Sequence, residues 1–232
     1  MAGYREHISV SGLCGAGYGF AATLLLGFTP EQGLLAGILC WMSGMLPDVD
    51  SETGKPVQKI FSVLAAVVPV MMMERFREIT SNREQIILLA ICTYTAVRYG
   101  LSYILGRLSV HRGMFHSIPA MLIATEVVML VYRSDELAVK ALMGIAVAIG
   151  FLSHLLLDEL YSVEFTGTRL KLNKAAGSAL KFVGKSFYPN VFTYTVLMFL
   201  TYLSMVQFGL IEGPEKMPHT FRQAVESFPT RQ

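Results

Sequence analysis

Long apolar runs broken by short polar clusters dominate the chain. Seven runs read as helices: about 11–28, 32–47, 57–73, 85–106, 117–132, 137–157 and 191–211. A membrane-spanning helix needs roughly 17–25 mostly apolar residues. The second, third and fifth runs are short and are expected to tilt little, thin the bilayer or enter it only partly. Between the runs lie turn and charge signals: Thr29-Pro30-Glu31, Asp48 to Lys55, Glu74 to Glu84, Gly106 to Arg112, and Arg133 to Glu136. The expected fold is all-α, a multi-pass transmembrane helical bundle of six or seven spans.

Finer features refine that outline. Gly15 and Gly19 are four apart, as are Gly33 and Gly37. Small residues at that spacing let helix backbones approach closely in lipid, so the first two helices should form a tight hairpin closed at Pro30. The first run follows one Arg and lacks a clean cleavage site, which is unlike a signal peptide. Residues 166–190 form a basic extramembrane segment between the last two spans. Val163 and Phe165 alternate with Leu170 and Leu172 around Gly167, the pattern of a short hairpin. Leu180, Phe182, Val183 and Phe187, interleaved with Lys181 and Lys185, fit either an interfacial amphipathic helix or a solvated basic loop. A last transmembrane helix at 191–211 and a polar tail at 212–232 complete the chain.

Composition agrees with lipid as the solvent. Of 232 residues, 53% are hydrophobic and 16% charged, with mean hydropathy +0.50. Soluble domains are about 25% charged. Cys14, Cys40 and Cys92 lie scattered in apolar runs, which excludes a disulfide framework. A net charge of +2 gives no reason to expect nucleic acid. A multi-pass position in a cell membrane follows. A small excess of Lys and Arg places the side bearing Arg112 in the cytoplasm.

The polar residues that stand out fall into four clusters. His7 precedes the first run; Asp48 and Asp50 follow the second; His111 and His116 precede the fifth; His154 and Asp158 end the sixth. Alternating topology puts all four on one membrane face. His154 and Asp158, at i and i+4, project from one helical face and suit two ligands of one metal, or a ligand with its orienting carboxylate. In an extended segment Asp48 and Asp50 would point the same way. Singly, a boundary histidine is an interfacial side chain and a loop carboxylate is solvated; His154, one turn inside an apolar helix, is a functional candidate by default. Jointly they point to a metal site on residues 1–165. Mixed imidazole and carboxylate donors suit zinc or manganese, with ferrous iron next, and the donors suffice for one or two ions. His219, in the tail, is left out of the set.

The chemistry this implies is hydrolytic. A metal-activated water at one membrane face would attack an ester, with a phosphoester of a membrane lipid, or of a lipid-like or small amphiphilic substrate, as the expected case. Asp50 or Asp158 could act as general base. Arg112 is either a bidentate clamp on the phosphate or an ion-pair partner of Asp48 or Asp50; Lys55 is a weaker anion-binding candidate. Arg98 and Glu126, both mid-span, are expected to pair with each other, with a polar cavity at Arg98 as the alternative. A non-enzymatic protein that binds or transports a metal ion is the competing reading.

His7, the LPDxD run at 46–50, HRGxxHS at 111–117 and SHLLLD at 153–158 occur in an order that resembles the YdjM-like family of membrane-bound metal-dependent hydrolases. The resemblance covers about residues 4–165. It implies His7, Asp48, Asp50, His111, His116, His154 and Asp158 as the site. That family looks distantly similar to zinc-dependent phospholipase C and related phosphoesterases. Phe115 stands where members commonly have Thr, and the residues after Asp158 also depart from the family pattern, so the downstream wall of the pocket is expected to differ.

Overall fold

A computed structural model describes residues 3–50, 54–101, 103, 114–166, 169–172, 180–184 and 186–212. Its helices are α1 (Tyr4–Leu25), α2 (Pro30–Ser43), α3 (Gly54–Met71), α4 (Met73–Ile79), α5 (Arg83–Thr95), α6 (Ile118–Val131), α7 (Leu137–Leu160) and α8 (Phe187–Gln207). A 3₁₀ turn, Leu46–Asp50, follows α2, and a π-helical stretch, Ala96–Leu101, extends α5. Each of the seven apolar runs thus contributes a helix. One two-stranded hairpin joins them, β1 (Val163–Thr166) with β2 (Arg169–Leu172), pairing Val163 with Leu172 and Phe165 with Leu170.

Length separates the helices. Only α1, α7 and α8 among the described residues are long and apolar enough to cross a membrane unaided. The 14-residue α2 and α6 are each about 21 Å long at 1.5 Å per residue, against a hydrocarbon layer of about 30 Å. The first helix also starts at Tyr4 rather than near residue 11, because nothing in Tyr4–Val10 breaks a helix. His7 therefore lies within α1 and not ahead of it.

The α1–α2 hairpin is as tight as its glycines predict. A Cβ on Gly19 would stand 2.6 Å from the Gly33 carbonyl oxygen, and one on Gly37 would stand 2.8 Å from that of Gly15. Thr29 caps α2 by accepting from the Gln32 N–H, while the Gln32 side chain accepts from the Thr29 N–H; Pro30 opens the helix. On this pair lies α7, the central helix of the bundle. Ala22, Ala36, Leu39 and Cys40 pack with Val139, Leu142, Met143, Ala146 and Val147. Close approach recurs at Gly150, where a Cβ would collide with the Cys40 carbonyl and Ser43. The outward faces stay apolar, with Leu13, Leu24, Leu34 and Met198 exposed, as a lipid-facing surface requires.

One expectation fails for an identifiable reason, and one open pair of alternatives narrows. No ion pair joins Arg98 and Glu126 among the described residues. The Arg98 segment packs on α3, whereas α6, which carries Glu126, packs on α7 and α8. Glu126 Oε1 instead accepts from the Thr201 hydroxyl at 2.8 Å, and Arg98 lies over the Tyr99 ring. The stretch Leu180–Gly184 is irregular rather than helical. It docks on the start of α6, where the Ile118 N–H donates to the Lys181 carbonyl at 3.1 Å. Asn190 braces it by accepting from the Gly184 N–H and donating to its carbonyl, both at 2.8 Å. The polar tail beyond Glu212 lies outside the described residues.

Candidate metal centre

Four separate pieces of chain deliver side chains to one point. The first turns of α1 supply His7. Past the end of α2, the 3₁₀ turn supplies Asp48. His116 precedes α6, where Ser117 caps the helix by accepting from the Ala120 N–H and donating to the Met114 carbonyl. The last turns of α7 supply His154 and Asp158. All but Asp48 are buried; Asp48, at 30% side-chain exposure, is the member of the cluster open to the surface.

The five side chains stand close together. His7 Nε2 is 3.4 Å from Asp158 Oδ1. His154 Nε2 is 3.7 Å from Asp158 Oδ2 and 3.6 Å from Asp48 Oδ1. His116 Nε2 is also 3.6 Å from Asp48 Oδ1. The His7 and His154 rings stack with centroids 3.6 Å apart, and His116 meets His154 edge-on at 5.5 Å. Two triads result, His7–His154–Asp158 and Asp48–His116–His154, and within each the donor atoms lie within 4.8 Å of one another.

The chemistry of this donor set fits a cation. His154 Nδ1 lies 2.7 Å from the Gly44 carbonyl oxygen, to which only a protonated nitrogen can donate. The lone pair therefore sits on Nε2, the atom aimed at both carboxylates, an arrangement typical of metal-ligating imidazoles. His154 Nε2 and Asp158 Oδ1 are buried and without a hydrogen-bond partner among the described residues. Such orphaned groups are costly unless an ion or water satisfies them. Two donors about 2.1 Å from a tetrahedral ion stand roughly 3.4 Å apart, close to the separations found. Burial raises the Asp48 carboxyl pKa, but the nearby His116, His154 and His7 outweigh it and hold it below the usual carboxylate range.

A family model described as YdjM inner membrane protein matches residues 7–206. The chain belongs to the YdjM family. The match starts at His7 and runs through α8, beyond the stretch that carries the histidine and aspartate motifs. YdjM proteins are inner-membrane proteins, in keeping with the apolar helices here. No match is found among the curated proteins or among the solved structures.

Of the residues singled out from this YdjM sequence, the structure assembles His7, Asp48, His116, His154 and Asp158. The side chains of Asp50 and Lys55, and His111 and Arg112 altogether, lie outside what the structure describes. The extended backbone expected for Asp48–Asp50 is replaced by a 3₁₀ turn. Pro47 within the run and the short link to α3 favour that turn. Gly44 was not singled out by its motif, although its carbonyl fixes the His154 tautomer. Its signal is the small Ser43-Gly44 pair just before the LPDxD run. A Cβ at Gly44 would strike the Ser11 side chain.

Proposed function

We propose that this protein is a membrane-bound, metal-dependent hydrolase that cleaves a phosphoester in a lipid or amphiphile at one face of the inner membrane. The observation that carries the reading is the buried His/Asp cluster, whose donor atoms converge from four chain segments. His7, Asp48, His116, His154 and Asp158 would hold the ion, zinc or manganese by donor chemistry, as a single centre or a pair. When bound, such an ion supplies Lewis acidity and makes water nucleophilic near neutral pH.

The chain's own residues supply the rest. Gly44 holds the His154 ring with Nε2 facing inward. Asp158, flanked by His7 and His154, neutralises and orients two imidazoles and is too enclosed to exchange protons freely with solvent. Asp48 is ionised and partly exposed, so it exchanges with solvent more readily, but its lowered pKa makes it a weak base and it serves as a ligand. The general-base role would fall to Asp50, the next carboxylate in the same run. Arg112 belongs to the same reading as the clamp for phosphate oxygens. A lipid substrate would reach the entrance without leaving the bilayer, since the cluster sits at helix ends.

The seven apolar runs would alternate across the bilayer, three as full spans and the others as shorter helices within the bundle. The metal-transport alternative drew on Arg98 and Glu126 as a continuing polar path; Glu126 bonds instead to Thr201 and Arg98 packs with α3, so no contact between the two supports it. The test is turnover. Protein supplied with zinc or manganese should hydrolyse a phospholipid or a soluble phosphodiester, and His154→Ala should abolish hydrolysis while the helical content stays unchanged. Metal binding without turnover of any ester would favour the non-enzymatic reading instead.

A further inference from the structure

At the end of the bundle remote from the histidines, basic side chains gather between α4 and the α6–α7 turn. Arg133 Nε donates to Glu78 Oε1 at 2.5 Å. Arg75 Nη1 lies 3.6 Å from Glu78 Oε2, and Arg75 Nη2 donates to the Leu130 carbonyl at 3.0 Å. One carboxylate thus serves two guanidinium groups. Lys140, in the first turn of α7, is only 6% exposed and makes no hydrogen bond or ion pair among the described residues. The charged groups around it are Arg133, Arg75, Asp135 and Glu78.

Such a lysine is poorly provided for. Its stem is buried, while its ammonium is not among the buried unpartnered atoms and so reaches the surface, beside two guanidinium groups and without a carboxylate of its own. Glu78 is already engaged by both arginines, and Asp135 is exposed. The α7 N-terminus has no side-chain cap, because Glu136 at the capping position forms no such bond. Its first-turn N–H groups and its dipole therefore also favour an anion. In an inner-membrane protein the α6–α7 turn that carries this cluster belongs at a bilayer edge, where a lysine stem lying along apolar surface delivers its charge toward lipid phosphates.

We propose that Arg75, Arg133 and Lys140, with the first turn of α7, bind the headgroup phosphate of an anionic phospholipid at the membrane face opposite the histidine cluster. Fourteen residues of α7 separate Lys140 from His154, about 21 Å along the axis. The lipid held here is thus a structural partner and not the substrate of the proposed reaction. The site stands whether or not the protein is a hydrolase.

Delipidated protein in detergent, titrated with phosphatidylglycerol or phosphatidylcholine and followed by thermal melting and native mass spectrometry, tests the assignment. Phosphatidylglycerol should raise the melting midpoint and stay bound, and phosphatidylcholine should do neither. Lys140→Met should weaken phosphatidylglycerol about fivefold, with Lys140→Arg restoring it. Should Lys140→Met fail to fold, Arg133→Gln serves in its place with the same expected loss. Equal responses to the two lipids, or lipid binding unchanged in both variants, would overturn the proposal. A stabilisation by inorganic phosphate as large as that by phosphatidylglycerol would also overturn it, in favour of a free-anion site.

Discussion

Because its Nδ1 donates to Gly44, His154 has one lone pair to give, and a lone pair binds one cation. The two triads therefore compete for it. Either a single ion takes His154 with donors from both triads, or a second ion must rely on Asp48 and His116 without it. His154→Ala accordingly removes the shared ligand and should do more harm to metal content than His7→Ala, which empties one triad only. Gly44→Val, with its new side chain against Ser11, should displace the orienting carbonyl and lower metal affinity about 10–100-fold, measured by competition with a chelating dye. Acid should release metal as well, since each imidazole ligand must shed a proton to bind. Asp48, whose carboxyl is held below the usual range, favours the folded state above the ordinary carboxylate pKa, and that contribution disappears only as pH falls through its lowered value. Metal loss on acidification should thus precede unfolding when elemental content and circular dichroism are followed together.

At the level of elements, the glycine spacing is the part of the sequence that carried most structural information. Gly15, Gly19, Gly33 and Gly37 predicted a close α1–α2 hairpin, and backbone carbonyls fill the space where side chains would be. Gly37→Leu should lower the melting midpoint, at about 1–3 kcal/mol for overpacking. Gly17→Ala, with nothing within 4 Å, should leave it unchanged. The helices themselves were legible from apolar runs, and the hairpin from alternation around Gly167. Other features were not, because they depend on tertiary partners. The 3₁₀ turn at Asp48 follows from the tight exit of α2. The partner of Glu126 is set by which helices pack together, and charge pairing read along the sequence pointed instead to Arg98.

Across the whole molecule, α7 joins two polar ends. Its last turns carry His154 and Asp158, and its first turn carries Lys140, with the apolar core of α1, α2 and α7 between them. The motifs made the histidine end legible as residues on a common face, and the five described side chains meet there. The basic end was legible only as loop charges, since burial of Lys140 and the sharing of Glu78 are products of packing. Opposite ends should face opposite sides of the membrane: cysteines placed at Ser134 and Tyr161 should react with an impermeant maleimide from different sides of oriented vesicles. The central claim, that side chains from four segments crowd round one cation site, is tested most directly by elemental analysis of purified protein equilibrated with zinc or manganese and freed of excess metal. The account predicts at least one divalent ion per chain in the wild type and a trace in His154→Ala of unchanged helical content; a wild type as poor in metal as that variant would contradict it.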